Sequence, residues 1–197
     1  NACMNEALRR FGCPEITLAQ TRRFVGHGGL RFAEEALPED RRAEAEHFYK
    51  DVYCPGHFRC TNSLTRPYAG EGECMEALAR AGIKRAVVTN KSQTAADALW
   101  KTLLAPYGFS AVFGNREGIP VKPDPTSALL VLEQLGVKPS EAAFVGDGDT
   151  DVQTAKNAGM RPVSVLWGYR TREELIAAGA ELFAEDYAQL TRILLSM

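Results

Sequence analysis

From Lys84 onward, short β-branched runs alternate with longer stretches of helical period. Apolar runs at 85–89 ("RAVVT"), 109–114 ("FSAVFG"), 142–146 ("AAFVG"), 162–167 ("PVSVLW") and 181–184 ("ELFA") have the length of buried strands. Helices are expected between and after them, at about 92–106, 125–135, 150–158, 171–178 and 186–195. Their ends carry matching chemistry: Asp124 with Pro125 opens one helix, Asp186 caps the last, and Gly136 and Gly159 close two others. Strand and helix in this rhythm predict an α/β fold, a Rossmann-like parallel sheet with helices on both faces.

Residues 1–64 follow a different period. Helical spacing runs through 1–11 to Gly12, then through a second helix whose Thr17 and Gln20 form a capping box. A break from Gly26 to Gly29 follows, with two more helices around Pro38. The loop-rich "CPGHFRCTNSLTRPYAG" (54–70) leads into a helix at 71–81 closed by Gly82. The organisation expected is therefore a helical unit over 1–66 and an α/β core over 67–197.

Composition narrows the setting. At 45% hydrophobic and 24% charged the chain can bury a sizeable core, and no apolar stretch approaches the roughly 18 residues of a membrane helix. The net charge of −2, with Lys and Arg scattered, gives no electrostatic footprint for nucleic acid or an anionic membrane. Five cysteines, an odd number without a C-x-x-C pair, suit a reducing, cytoplasmic compartment, most of them as small buried hydrophobes. Cys54, His57 and Cys60 have the spacing of three zinc ligands, yet a fourth would have to come from Cys74 or His47.

Candidate chemistry gathers where three segments end. In a parallel α/β sheet ligands bind at the carboxyl ends of the strands. "VVTNK" places the Thr89 hydroxyl and the Asn90 amide there, able to donate to an anion or simply to cap a helix. "PVKPDP" holds Lys122 between prolines as a fixed ammonium or as a solvated surface lysine. "VGDGDTD" puts Asp147, Asp149 and Asp151 within five residues; such crowding calls for a cation, although Asp149 and Asp151 also complement a helix dipole. Taken together and in this order, the three segments fit one phosphate and one Mg²⁺.

The succession "VVTNK", "VKPDP", "VGDGDTDVQTAKNAGM" resembles motifs two, three and four of the haloacid dehalogenase superfamily, and most closely its phosphoglycolate phosphatase branch. The flanks "RFVGHGG" and "TRPYAG" resemble the inserted helical cap and its exit, and "VLWGYRTREELIAAGAELFAEDYAQL" resembles that branch's C-terminal end. The resemblance implies a Mg²⁺-dependent phosphomonoester hydrolase. Thr89, with Asn90, would hold the transferring phosphoryl group, Lys122 would neutralise it and steady the nucleophile, and Asp147 would bind Mg²⁺. Asp151 would stand beside it as a ligand or supporting partner, and Asp149 would fill a variable slot. Gly148 stands where many relatives carry a hydroxyl residue. In the cap, Arg23, His27 and Gly28 are the candidates for recognising a substrate carboxylate, with His27 equally readable as an exposed loop histidine.

The family's first motif, a strand ending in an aspartate nucleophile with an acid/base aspartate two residues on, has no counterpart in the 197 residues. The sequence opens with "NACMNEALRRFG", already helical, and the only D-x-D after an apolar strand is Asp147 with Asp149. In relatives that strand lies between those ending in Thr89 and Gly146. Without it, unpaired backbone groups would each cost about 1–3 kcal/mol. A strand preceding Asn1 and supplying the nucleophile is therefore expected, and a chain lacking it should be inactive. Phosphoglycolate phosphatase is the leading expectation. The alternatives are another family phosphatase, a pyrophosphatase, a sugar-phosphate mutase, or an inactive binding protein. The expected partner is a small phosphorylated metabolite, and the expected state is a monomer or homodimer.

Overall fold

The computed structural model describes residues 1–59 and 64–197. Helices α1 (Ala2–Arg10), α2 (Leu18–Phe24), α3 (Gly29–Ala36), α4 (Ala45–His47) and α5 (Cys54–Arg59) make up the N-terminal part, with a 3₁₀ segment at Glu39–Glu44 and a π segment at Phe48–Tyr53. Their apolar faces meet in a separate core containing Met4, Leu8, Phe24, Ala33 and Phe48. Two local devices set its geometry. Asn5 bonds both the N–H and the carbonyl of Ile16, each at 2.9 Å, and so fixes the α1–α2 connection. Thr17 and Gln20 form the expected capping box at the start of α2.

The α/β part contains β1 (Ala86–Ser92), β2 (Ala111–Asn115), β3 (Ala143–Gly146), β4 (Arg161–Val165) and β5 (Phe183–Ala184). Every pairing found among them is parallel, in agreement with the predicted class. Helices α6 (Glu71–Arg80) and α11 (Tyr187–Leu195) share a core with β4, through Cys74, Leu78, Val163, Val165 and Leu190. On another side, α9 (Asp149–Ala158) and α10 (Arg172–Ala177) bury Val152 and Leu175 together with Ala180. Gly159 closes α9 in the left-handed conformation, and the Asp186 side chain accepts from Gln189 N–H at the head of α11.

The expected helix at 92–106 takes a different form. It divides into α7 (Gln93–Leu99), a π segment at Trp100–Leu104 and a 3₁₀ turn at Ala105–Tyr107, where Pro106 has no N–H to continue the ladder.

The strands form two separate ladders, β1–β2 and β3–β4–β5. Among the described residues, β1 pairs only with β2 and β3 only with β4, which leaves one edge of each unpaired. A cavity of about 1010 Å³ is lined from one side by Val87 and Val88 and from the other by Phe144, Val145 and Asp147. Helix α8 (Thr126–Leu135) bridges the two ladders, since Ala128, Val88 and Phe144 belong to one apolar cluster with Ala155 of α9.

Candidate active site

Regular pairing of β1 with β2 ends at Val88 opposite Phe113 and resumes only at Ser92 opposite Asn115. Thr89, Asn90 and Lys91 occupy the irregular stretch between, where the strand leaves its ladder. Such irregularities re-aim side chains at the rim of a sheet. The Thr89 hydroxyl accepts from Lys91 N–H at 3.2 Å and keeps its own O–H to donate. Asn90 is buried and its amide is committed: it donates to the carbonyls of Gly26 and Lys122 at 2.9 and 3.0 Å and accepts from Lys122 N–H at 2.8 Å. Its side chain thus joins the Lys122 loop to the helical part.

Lys122 is the hub. Its ammonium lies 2.6 Å from Asp151 Oδ1 and 3.1 Å from the Val88 carbonyl, with only about a tenth of either side chain of the pair exposed. The second carboxylate oxygen of Asp151 accepts from the backbone N–H of Asp147 and Gly148 at 3.1 and 2.9 Å. Both oxygens of Asp151 are therefore engaged, and β1, the Lys122 loop and the turn after β3 are tied at one carboxylate. Gly146 permits this closeness, because a Cβ there would fall 2.3 Å from the Asp151 carboxylate.

Asp147 is held differently. Its Oδ2 accepts from Tyr169 N–H at 2.7 Å, and the residue lines the large cavity. Gly168 is required beside it, since a Cβ at that position would lie 2.1 Å from the Asp147 Cβ. Among the described residues no three His, Cys, Asp or Glu side chains converge as a metal site. Mg²⁺ suits this arrangement nonetheless, because it binds through one or two carboxylates and keeps other positions for water and phosphate. Asp147, oriented through one oxygen, could serve as a protein donor to it.

Asp149 faces the helical part: Arg170 Nε reaches its Oδ1 at 3.2 Å and His27 Nε2 its Oδ2 at 3.3 Å. Burial opposes ionisation of Asp149, but the Arg170 hydrogen bond and the charges of His27 and Arg170 outweigh it and hold the pKa below the ordinary carboxylate value. A depressed carboxylate contributes stability above its unfolded pKa of about 3.9 and loses it as pH falls through the lower folded value. Acid unfolding of Asp149→Asn should accordingly converge with that of the parent protein below about pH 4 and diverge from it at neutral pH, as followed by circular dichroism.

Of the remaining positions singled out from sequence, Arg23 lies over the Phe24 ring at 5.0 Å and Gly28 caps α3 with φ of +94°. The Cys54, His57 and Cys60 grouping lies partly outside the described residues, at Cys60. Sequence reasoning missed Arg22, Gly168, Tyr169 and Arg170. They carry no local signal: Arg22 meets Gly168 and Arg170 across nearly 150 residues of chain, and Tyr169 and Arg170 reach Asp147 and Asp149 across 22 and 21.

An ammonium and a group of carboxylates thus gather where β1 and β3 end in this α/β fold, chemistry that would suit an anion and a hard cation. Residues 1–165 match the family described as haloacid dehalogenase-like hydrolase. A curated phosphoglycolate phosphatase of Vibrio vulnificus is 32% identical over 97% of this chain and 86% of its own length. A phosphoglycolate phosphatase of Aquifex aeolicus is 30% identical over 84% of this chain and 76% of its own. The crystal structure of a Lactobacillus delbrueckii subsp. bulgaricus protein assigned as a phosphoglycolate phosphatase superposes with a TM-score of 0.88 at 26% identity, covering 98% of this chain and 90% of that one. The chain therefore belongs to the haloacid dehalogenase-like hydrolase family and is a phosphatase of that family. No helix among the described residues is long and apolar enough to cross a membrane.

Proposed function

We propose that the protein hydrolyses small phosphomonoesters in the cytoplasm with Mg²⁺, 2-phosphoglycolate foremost, through an aspartyl-phosphate. The observation that carries this reading is the tie of Lys122, Asp151 and the Asp147 turn at the carboxyl ends of β1 and β3. Lys122 neutralises the phosphoryl group, and Thr89 donates to one of its oxygens. Asp151 positions Lys122, its Oδ1 facing the ammonium while its Oδ2 takes two backbone N–H groups. Asp147 holds Mg²⁺, which when bound offsets the negative charge shared by phosphate and nucleophile.

The nucleophile is proposed to lie upstream of Asn1, on an extended segment seated between the unpaired edges of β1 and β3. Its carboxylate attacks phosphorus in line and expels the alcohol, and water then hydrolyses the acyl phosphate. Residues 1–66 act as the cap domain over the 67–197 core, excluding water from the reacting centre. Arg23, His27 and the backbone at Gly28 are the cap candidates for a substrate carboxylate.

The test is turnover by the full-length protein on 2-phosphoglycolate, pyrophosphate and sugar phosphates, with and without chelator. Chelation should abolish activity and Mg²⁺ should restore it, with kcat/KM for 2-phosphoglycolate about tenfold or more above the others. Faster turnover of pyrophosphate would reassign the substrate class. No turnover of any of them would identify a binding protein on this fold.

A further inference from the structure

We infer that the segment Gly168–Arg170 couples closure of the cap to the setting of Asp147. The inference rests on residues 1–66 acting as a cap and on Asp147 holding the metal. Three consecutive residues touch both sides of that relation. Arg22 of α2 donates to the Gly168 carbonyl at 2.8 Å. Tyr169 N–H donates to Asp147 Oδ2 at 2.7 Å. Arg170 donates to the carbonyls of Arg22 and Val25 at 2.8 and 2.9 Å, and to Asp149 at 3.2 Å. Its side chain is only 10% exposed, and its bonds to Val25 and Asp149 are part-buried while that to Arg22 lies at the surface.

The arrangement depends on a guanidinium. One planar fork spans two cap carbonyls and a core carboxylate at once, which a lysine ammonium on a flexible stem cannot reproduce. The cap is not held here alone, because Asn90 donates to the Gly26 carbonyl at 2.9 Å from the opposite side of the loop. Loss of Arg170 therefore loosens one anchor and leaves the cap tethered by the other.

Opening the cap on the Arg170 side must break the bonds to Arg22 and Val25 and release the Gly168 carbonyl. Gly168 lies so close to Asp147 that a Cβ there would overlap the Asp147 side chain, so the segment and the carboxylate share one tight contact. Displacing the segment withdraws the Tyr169 N–H that orients Asp147. By linkage, anything that steadies the Asp147 carboxylate favours the closed cap to the same degree.

Amide hydrogen exchange of residues 22–29, measured without metal or substrate, tests the first half. Exchange should quicken about tenfold in Arg170→Ala and nearly as much in Arg170→Lys, with α8 unchanged. The Mg²⁺ concentration giving half-maximal thermal protection should rise about fivefold in Arg170→Ala. Arg22→Ala, an exposed change on the cap side, should move both readouts in the same direction and covers the case in which Arg170 variants fail to fold. Unchanged exchange at 22–29 would overturn the inference, as would faster exchange with unaltered Mg²⁺ protection. A parent protein that bound no Mg²⁺ would overturn the coupling together with the metal reading. One that bound it yet turned over no phosphomonoester would overturn the phosphatase reading alone.

Discussion

Lys122→Met is expected to lower stability by about 3 kcal/mol and the melting temperature by about 8 °C, read by calorimetry. Asp151 would stay buried with two backbone donors but without its ammonium, and breaking a buried pair by removing one partner is costly. The loss should fall near the low end for a broken buried pair because those donors remain. Catalysis should suffer separately, by about 10²- to 10³-fold in kcat, the usual cost of removing one preorganised cation from developing charge. The double variant Lys122→Met/Asp151→Asn separates the two effects. An asparagine can still accept from Asp147 and Gly148, so stability should largely return while turnover does not. Recovery of both together would mean that Lys122 acts only through folding.

Asp147→Asn should reduce Mg²⁺-dependent turnover about 10³-fold or more while leaving the fold intact. The amide oxygen can still accept from Tyr169 N–H, so the orientation survives and only the charge is lost. Gly168→Ala makes the complementary change. It keeps the charge but forces a Cβ into the Asp147 side chain, so the backbone at 168 or the carboxylate must shift. Overpacking of this kind costs about 1–3 kcal/mol. Steady-state kinetics across Mg²⁺ concentrations should show Asp147→Asn failing at any concentration and Gly168→Ala partly rescued at high Mg²⁺. Full activity in Asp147→Asn would remove this residue from the site.

Much of the scaffold could be read before any coordinates, because period and punctuation act locally. The runs ending near Val88, Gly146 and Val165 are strands, and Thr17, Gly136, Gly159 and Asp186 mark helix ends through chemistry contained within a few residues. Prolines around Lys122 and a dense acidic turn drew attention to both segments, but the direct ion pair of Lys122 with Asp151 was not among the expectations.

What escaped depends on contacts distant in sequence. Asn90 looked like an anion donor and instead joins the Lys122 loop to Gly26. Asp149 looked like a variable position and is the carboxylate shared by His27 and Arg170. Nothing adjacent to Arg170 hints that its fork will meet the end of α2. The π segment after α7 is likewise invisible to a 3.6-residue period.

The unpaired edges of β1 and β3 have one more consequence for the proposed mechanism. If the nucleophile rides on the strand that fills the slot between them, the same few residues would be both reagent and keystone. Architecture and chemistry would then be completed in a single cooperative event, and a half-assembled molecule would hold an inert site rather than one open to wasteful hydrolysis.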